Sequence, residues 1–211
     1  MSANNPDSTG CNGAASAATG AGLPPTPEPA LAGLWLVRHA QPLIDAGVCY
    51  GATDMAADRA ATRWSAKTLA QLLPAGALLV SSPLLRCAQL ARALQQLRPD
   101  LRARSDGRLA EMDFGCWEGW RWSDIPKPAL DQWTAQFSDW RFGGRESVRE
   151  LMQRVADVWG ESRALSGPVV WVTHAGVIRA ALLLSRGVVE VQRSEDWPQA
   201  APGFGQYLRL P

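Results

Sequence analysis

The 211-residue sequence holds only two histidines, and each stands at the end of an apolar run. His39 follows Leu34-Trp35-Leu36-Val37-Arg38, and His174 follows Val169-Val170-Trp171-Val172-Thr173. Imidazole serves as nucleophile, acid–base group or metal ligand near neutral pH. Runs of this kind read as strands of a parallel sheet buried on both faces. Open α/β sheets bind ligands in the crevice beyond the carboxyl ends of their strands. Both histidines are therefore expected at one sheet edge, facing one pocket. A single histidine there is more often structural. Two of two, with Arg38 beside one of them, favour a site.

A third run, Ala77-Leu78-Leu79-Val80, leads through Ser81-Ser82-Pro83 into a helical pattern that carries Arg86. About one turn into that helix, Arg86 can face the same crevice; the plain alternative is a solvated arginine paired with an acid. A helix opening there also directs its positive end and free N–H groups at the crevice. Arginine forks match phosphate oxygens bidentately. Two histidines, two arginines and a helix start make a phosphate cradle. Neither histidine has a Cys or carboxylate at metal-ligand spacing, so no metal and no cofactor are expected.

The elements that must position these residues alternate. Strands are read at Leu34–Val37, Ala77–Val80 and Val169–Val172, with a terminal one at Gln206–Leu210. Helical patterns cover Trp64–Leu73, Pro83–Leu97, Val148–Leu165 and Val177–Ser185, the last ending at Gly187. Ser82 is expected to cap the second with Pro83 at its first position, and Ser147 with Glu150 to form a capping box on the third. Alternation of this kind implies a layered α/β domain with a mostly parallel sheet. Residues 113–142 stand apart, with five of the ten tryptophans (Trp117, Trp120, Trp122, Trp133, Trp140). They read as a partly helical flap over one end of the sheet, most of whose rings form a satellite core. Residues 1–30 are small, Gly- and Pro-rich and aperiodic, and read as a disordered tail ahead of a domain spanning 31–211.

Composition narrows the function. Lys+Arg is 21 against Asp+Glu 20, a net charge of +1, which argues against nucleic acid or membrane surfaces as partners. No apolar stretch is long enough to cross a bilayer, and the first 30 residues lack a secretory pattern. Cys11, Cys49, Cys87 and Cys116 form no C-x-x-C pair, so free thiols in a reducing, cytoplasmic setting are expected. Nothing in the sequence sets the oligomeric state.

Four segments resemble, in order, the motifs of the histidine phosphatase superfamily, the phosphoglycerate-mutase-like proteins. Leu36-Val37-Arg38-His39-Ala40 is similar to the Arg-His-Gly motif, and Ser81-Ser82-Pro83-Leu84-Leu85-Arg86 to the second arginine motif. Glu111-Met112-Asp113-Phe114-Gly115-Cys116-Trp117-Glu118-Gly119 resembles the acid motif, and Val172-Thr173-His174-Ala175-Gly176-Val177-Ile178-Arg179 the second histidine motif. The resemblance covers about residues 34–210 and implies a three-layer α/β/α sandwich. It implies a phosphoryl-accepting nucleophile at His39, phosphate binding by Arg38, Arg86 and His174, and a general acid, later base, at Glu111. An adjacent arginine disfavours a charged His39 ring, and the family orients that ring through a hydrogen bond, usually to a backbone carbonyl. A carboxyl beside a phosphate dianion is suited to protonate the leaving alkoxide. Asp113 stands beside Glu111 as a competitor with no preference either way, whereas Glu118 reads as a surface carboxylate.

The sequence departs from the family pattern at Ala40, where Gly is usual, and at Ile44 or Asp45, where many members carry Asn. A carboxylate at that point repels phosphate, so that contact is not carried over. Gly143-Gly144-Arg145-Glu146-Ser147 resembles a Gly-Gly-Glu-Ser stretch with Arg145 added, read as facing solvent. The longer insertion and Trp-Asn pair usual in phosphoglycerate mutases are not evident. The Val48–Asp54 loop and the Met-Asp-Phe-Gly-x-Trp-Glu-Gly form resemble the alpha-ribazole phosphatase branch, which acts in cobalamin assembly. The expected function is hydrolysis of a small-molecule phosphomonoester through phosphohistidine, with alpha-ribazole 5′-phosphate as substrate. The alternatives are a phosphoglycerate-type mutase, a general small-molecule phosphatase and a non-catalytic phospholigand-binding module. The intact set of nucleophile and acid argues against the last.

Overall fold

A computed structural model describes residues 33–211. The tail read over residues 1–30 lies outside the described residues, as does Cys11. One sheet contains β1 (Leu34–Arg38), β2 (Leu78–Ser81), β3 (Arg102–Ser105), β4 (Val169–Thr173) and β5 (Tyr207–Leu210). The order is β3-β2-β4-β1-β5, parallel throughout except for β5, which runs antiparallel to β1.

Side chains alternate across this sheet, and both faces are covered. Leu34, Leu36, Val80, Val169 and Trp171 meet α4 (Val148–Arg163) and α5 (Ala175–Ser185). Trp35, Val37, Leu79, Val170 and Val172 meet α1 (Arg59–Leu72) and α2 (Leu85–Leu97). The result is a three-layer α/β/α sandwich, and it explains why the central strands are apolar without interruption. Leu36, Val37, Val170 and Val172 are wholly buried. Burying such a side chain contributes about 1.5–3 kcal/mol.

Two features of this sheet place the histidines. In the β1–β4 ladder Arg38 lies opposite Thr173, so the residues that follow, His39 and His174, emerge side by side. The helices after these strands also leave in opposite directions: α1 packs on one face and α5 on the other. That divergence is the topological switch point at which open α/β sheets hold ligands.

Several local expectations change. The edge strand β3 has no counterpart in the sequence pattern, because all four of its residues are exposed and carry no apolar run. Helix α1 begins five residues earlier than its apolar pattern, where the Asp58 carboxylate accepts the Ala61 N–H. Helix α2 begins at Leu85, not Pro83, with Leu84 as its cap residue. Ser82 is not its N-cap; the Leu85 N–H donates instead to the Asp54 carboxylate at 2.6 Å. Pro83 keeps the chain extended behind it, and the Ser82 hydroxyl turns into the site. The capping box of Ser147 and Glu150 is present on α4.

Residues 113–142 include α3 (Lys127–Ala135) and a single 3₁₀ turn, Gly115–Trp117. Buried Phe142 is their centre, with Trp133 stacked on it at 4.4 Å between ring centroids and Trp122 at 6.0 Å. Cys49, Ile125 and Phe114 close this third apolar cluster.

Candidate active site

His39 ends the β1 segment and is 2% exposed. Its Nδ1 lies 2.7 Å from the Ala40 carbonyl oxygen. A carbonyl only accepts, so Nδ1 carries the hydrogen and Nε2 of the neutral ring keeps its lone pair. Burial, with the Arg86 and Arg38 charges, lowers the His39 pKa to about 3. The backbone hydrogen bond to Ala40 opposes that shift without reversing it. The ring is therefore neutral near neutral pH.

His174 occupies the cap position of α5 but does not cap it. Its ring, fully buried, sits 5.1 Å from the His39 ring between centroids. Nε2 lies 2.9 Å from the Ser82 hydroxyl and 3.4 Å from the Cys87 sulfur. Burial and then Arg86 hold its pKa well below the ordinary histidine value.

The two arginines are anchored through part of their forks. Arg86 is fully buried, and its Nη1 and Nη2 donate to the Thr53 and Gly51 carbonyls at 2.8 and 2.6 Å. Arg38 Nη1 donates to the Pro202 carbonyl at 3.1 Å, and its guanidinium lies 4.0 Å above the Phe204 ring centroid. Nε of each arginine is buried and has no hydrogen-bond partner among the described residues. Buried donors of that kind are costly unless something accepts from them. Beside the two imidazoles, these guanidinium groups give the hollow a lining of donors and positive charge, which suits an anion.

Glu111 joins this group from a separate segment. Its Oε2 accepts the Gly176 N–H at 3.1 Å, one residue into α5, and its Oε1 accepts the Met112 N–H at 3.2 Å. The five side chains named from the sequence thus converge. Asp113 does not join them: it accepts the Gly115 N–H at 2.8 Å and pairs with Arg145 at 3.3 Å. Arg145 faces solvent except for that pair. Asp45 also stands away, paired with Arg121 at 3.4 Å on the surface.

Glu118 overturns its reading as a mere surface carboxylate. It accepts the N–H groups of Ala52, Thr53 and Phe114 at 2.8, 2.6 and 3.1 Å, and the Thr53 hydroxyl. It therefore pins the loop whose Gly51 and Thr53 carbonyls hold Arg86. Gly51 is required there, since a β-carbon would lie 1.8 Å from the Met112 carbonyl oxygen.

Sequence reasoning missed four contributors. Tyr50 hydrogen-bonds to Arg38 and lies under the Arg86 guanidinium at 5.4 Å. Phe204 flanks both Arg38 and His39, its ring 5.3 Å from the imidazole. Ser82 touches His174, and Arg154 grips the backbone before Glu111. Ser82 carried a signal in its place in the second arginine motif, and Tyr50 lies in the Val48–Asp54 loop singled out above; Phe204 and Arg154 come from a loop and a helix with no motif spacing.

Two cavities flank Glu111. One, of about 220 Å³, is lined by Phe114, Trp122, Trp133, Trp197 and Arg179 beside Glu111. The other, of about 460 Å³, is charged, with Asp113, Arg145, Glu146 and Arg154 in its wall. Among the described residues no group of three or more His, Cys, Asp or Glu side chains is placed to hold a metal ion. No helix among them is long and apolar enough to cross a membrane.

The profile described as "Histidine phosphatase superfamily (branch 1)" matches residues 34–199. A mycobacterial glucosyl-3-phosphoglycerate phosphatase, solved in complex with VO3, is 26% identical and covers 85% of this chain and 92% of its own, with a TM-score of 0.70. The complex of the mycobacterial enzyme with inorganic phosphate is 25% identical over 85% and 89%, with a TM-score of 0.67. A phosphoglycerate mutase from Thermus thermophilus is 26% identical over 84% and 91%, with a TM-score of 0.64. Curated protein sequences give no match.

Proposed function

The chain belongs to the histidine phosphatase superfamily, and on that premise we propose that it hydrolyses small phosphomonoesters through a phosphohistidine formed on His39. The observation that carries this reading is the pair of imidazoles 5.1 Å apart, with His39 Nδ1 committed to the Ala40 carbonyl. Nε2 attacks phosphorus in line with the departing alkoxide. Arg38, Arg86 and His174 receive the charge on the three transferring oxygens, so guanidinium and imidazole donors act without a metal. Glu111 gives its proton to the leaving oxygen. Water then attacks the phosphohistidine and returns a proton to Glu111; phosphate departs and His39 is regenerated neutral. The solved relatives that bear vanadate or inorganic phosphate support an oxyanion in this hollow.

The leaving group meets Glu111, and the aromatic cavity opens beside that carboxyl. Rings stack on rings, which supports a substrate whose alcohol carries a flat heterocycle. Alpha-ribazole 5′-phosphate, in cobalamin assembly, is the reading for that branch. Free thiols at Cys49 and Cys87, both buried, support a reducing cytoplasmic setting. A second reading, mutase action or hydrolysis of a phosphoglycerate-type ester, is favoured by Arg179 in the same cavity wall, a ready partner for a carboxylate.

The test is a panel of phosphomonoesters compared by kcat/KM. It includes alpha-ribazole 5′-phosphate, phosphoglycerates and p-nitrophenyl phosphate, each run with and without chelator. Release of phosphate that survives chelator and vanishes in His39→Ala supports the hydrolase. Faster phosphoryl migration than phosphate release on a phosphoglycerate replaces it with the mutase.

A further inference from the structure

Arg154 projects from α4 toward the segment that delivers Glu111 and binds both its backbone and a neighbouring carboxylate. Nη1 donates to the carbonyls of Arg108 and Ala110 at 2.6 and 2.7 Å, and Nη2 to the carbonyl of Glu111 itself at 3.2 Å. Nε and Nη2 also bind the Glu146 carboxylate at 2.6 and 3.0 Å. Glu146 in turn accepts the Asp113 N–H at 3.0 Å. One guanidinium and one carboxylate thus hold backbone on both sides of Glu111, and both side chains are largely buried.

The segment needs such a hold. Between the 3₁₀ turn at Gly107–Leu109 and the one at Gly115–Trp117 the chain has no regular structure. No strand ladder or helix fixes the Glu111 backbone. Among the described residues its carboxylate accepts only from the Gly176 and Met112 N–H groups. A planar fork binding three backbone carbonyls replaces the missing ladder, and Lys cannot reproduce it because an ammonium lacks the fixed geometry.

We propose that Arg154, braced by Glu146, is the positioning residue for the general acid Glu111. The proposal rests on the hydrolase reading above. Among the described residues Arg154 makes no hydrogen bond to His39, and its part in the reaction is the placement of the Glu111 carboxyl; its charge also adds, after burial and the Arg86 and His39 charges, to the lowering of the His174 pKa. Misplacing a catalytic group by about 1 Å costs on the order of 10²-fold in rate.

Leaving-group chemistry separates this role from a merely structural one. An alkyl alkoxide needs its proton in the transition state, whereas p-nitrophenolate leaves without one. The value of kcat/KM reports the first irreversible step, phosphoryl transfer to His39, so later hydrolysis of the phosphohistidine does not mask the difference. In Arg154→Met, kcat/KM for an alkyl phosphate is expected to fall by about 10²-fold and for p-nitrophenyl phosphate by no more than about threefold. Glu111→Gln is expected to show the same contrast. The double variant should be no worse than Glu111→Gln alone, because the arginine then has nothing left to position. Should Arg154→Met not fold, Arg154→Lys carries the same test with a smaller loss.

Equal losses on both esters, or a double variant that loses the product of the two single losses, overturns the proposal. A wild-type protein that hydrolyses neither ester defeats the hydrolase reading itself, a separate outcome from failure of the contrast.

Discussion

The Gly176 N–H donates to Glu111 Oε2 at 3.1 Å, and a β-carbon on Gly176 would lie 2.3 Å from Glu111 Oε1. The first turn of α5 is therefore shaped around the carboxyl group. The atom in the way is the far end of a side chain, which can move. Gly176→Ala should leave stability within about 1 kcal/mol of the parent while displacing the acid. The expected loss in kcat/KM on alkyl phosphates is on the order of 10²-fold, measured beside a thermal melt. Unaltered kinetics with a folded variant would remove Glu111 from the chemistry.

Replacing His39 tests its proposed role as nucleophile directly. In His39→Ala turnover should fall by about 10⁴-fold or more on every ester, because the covalent step disappears. Labelled phosphate transferred from substrate and trapped in alkali should appear on the parent protein alone. Retention of the label by His39→Ala would place the phosphoryl acceptor elsewhere.

Both imidazoles make stability depend on acid. His39 is lowered to about 3 and His174 well below its ordinary value, each chiefly by burial. The unfolded chain takes up these protons from about pH 6.5 downward and the folded chain does not. Stability is therefore full above that pH and declines as pH falls toward 3. The slope approaches about 1.4 kcal/mol per pH unit for each ring. Urea titrations at pH 7.5, 6.5 and 5.5 check it; a midpoint that stays level across this range contradicts neutral burial of both rings.

Glu118 offers a test of indirect phosphate binding. Glu118→Ala strands three backbone N–H groups and frees the loop that holds Arg86. A stability loss of about 1–3 kcal/mol is expected. Inorganic phosphate should inhibit about tenfold less well, equivalent to about 1.4 kcal/mol. Undiminished phosphate affinity would show that Arg86 keeps its pose without the loop.

The aromatic cavity separates the substrate readings. Trp122→Ala removes a ring from its wall. Relative kcat/KM should shift by about tenfold against an ester with a flat heterocyclic alcohol and hardly at all for a phosphoglycerate, consistent with about 0.5–1.5 kcal/mol for a stacked aromatic pair. Arg179→Met should do the reverse. Identical responses of both esters in both variants would dissociate this cavity from the leaving group.

What the sequence determined by itself was local or repeated. Strands β1, β2 and β4 announce themselves because burial on two faces demands unbroken apolar runs, and α4 because a capping box and helical spacing are short-range. His39, Arg86, Glu111 and His174 stand in motifs whose order survives unfolding the chain. Tertiary structure alone decided what steadies them. Phe204 reaches His39 from the other end of the chain, Asp54 takes over the α2 cap expected of Ser82, and Arg154 and Glu118 hold mostly backbone carbonyls and N–H groups. Any residue with a suitable charge can meet a backbone group, so such contacts leave no spacing to read. They exist only after the sheet has brought distant segments to one edge.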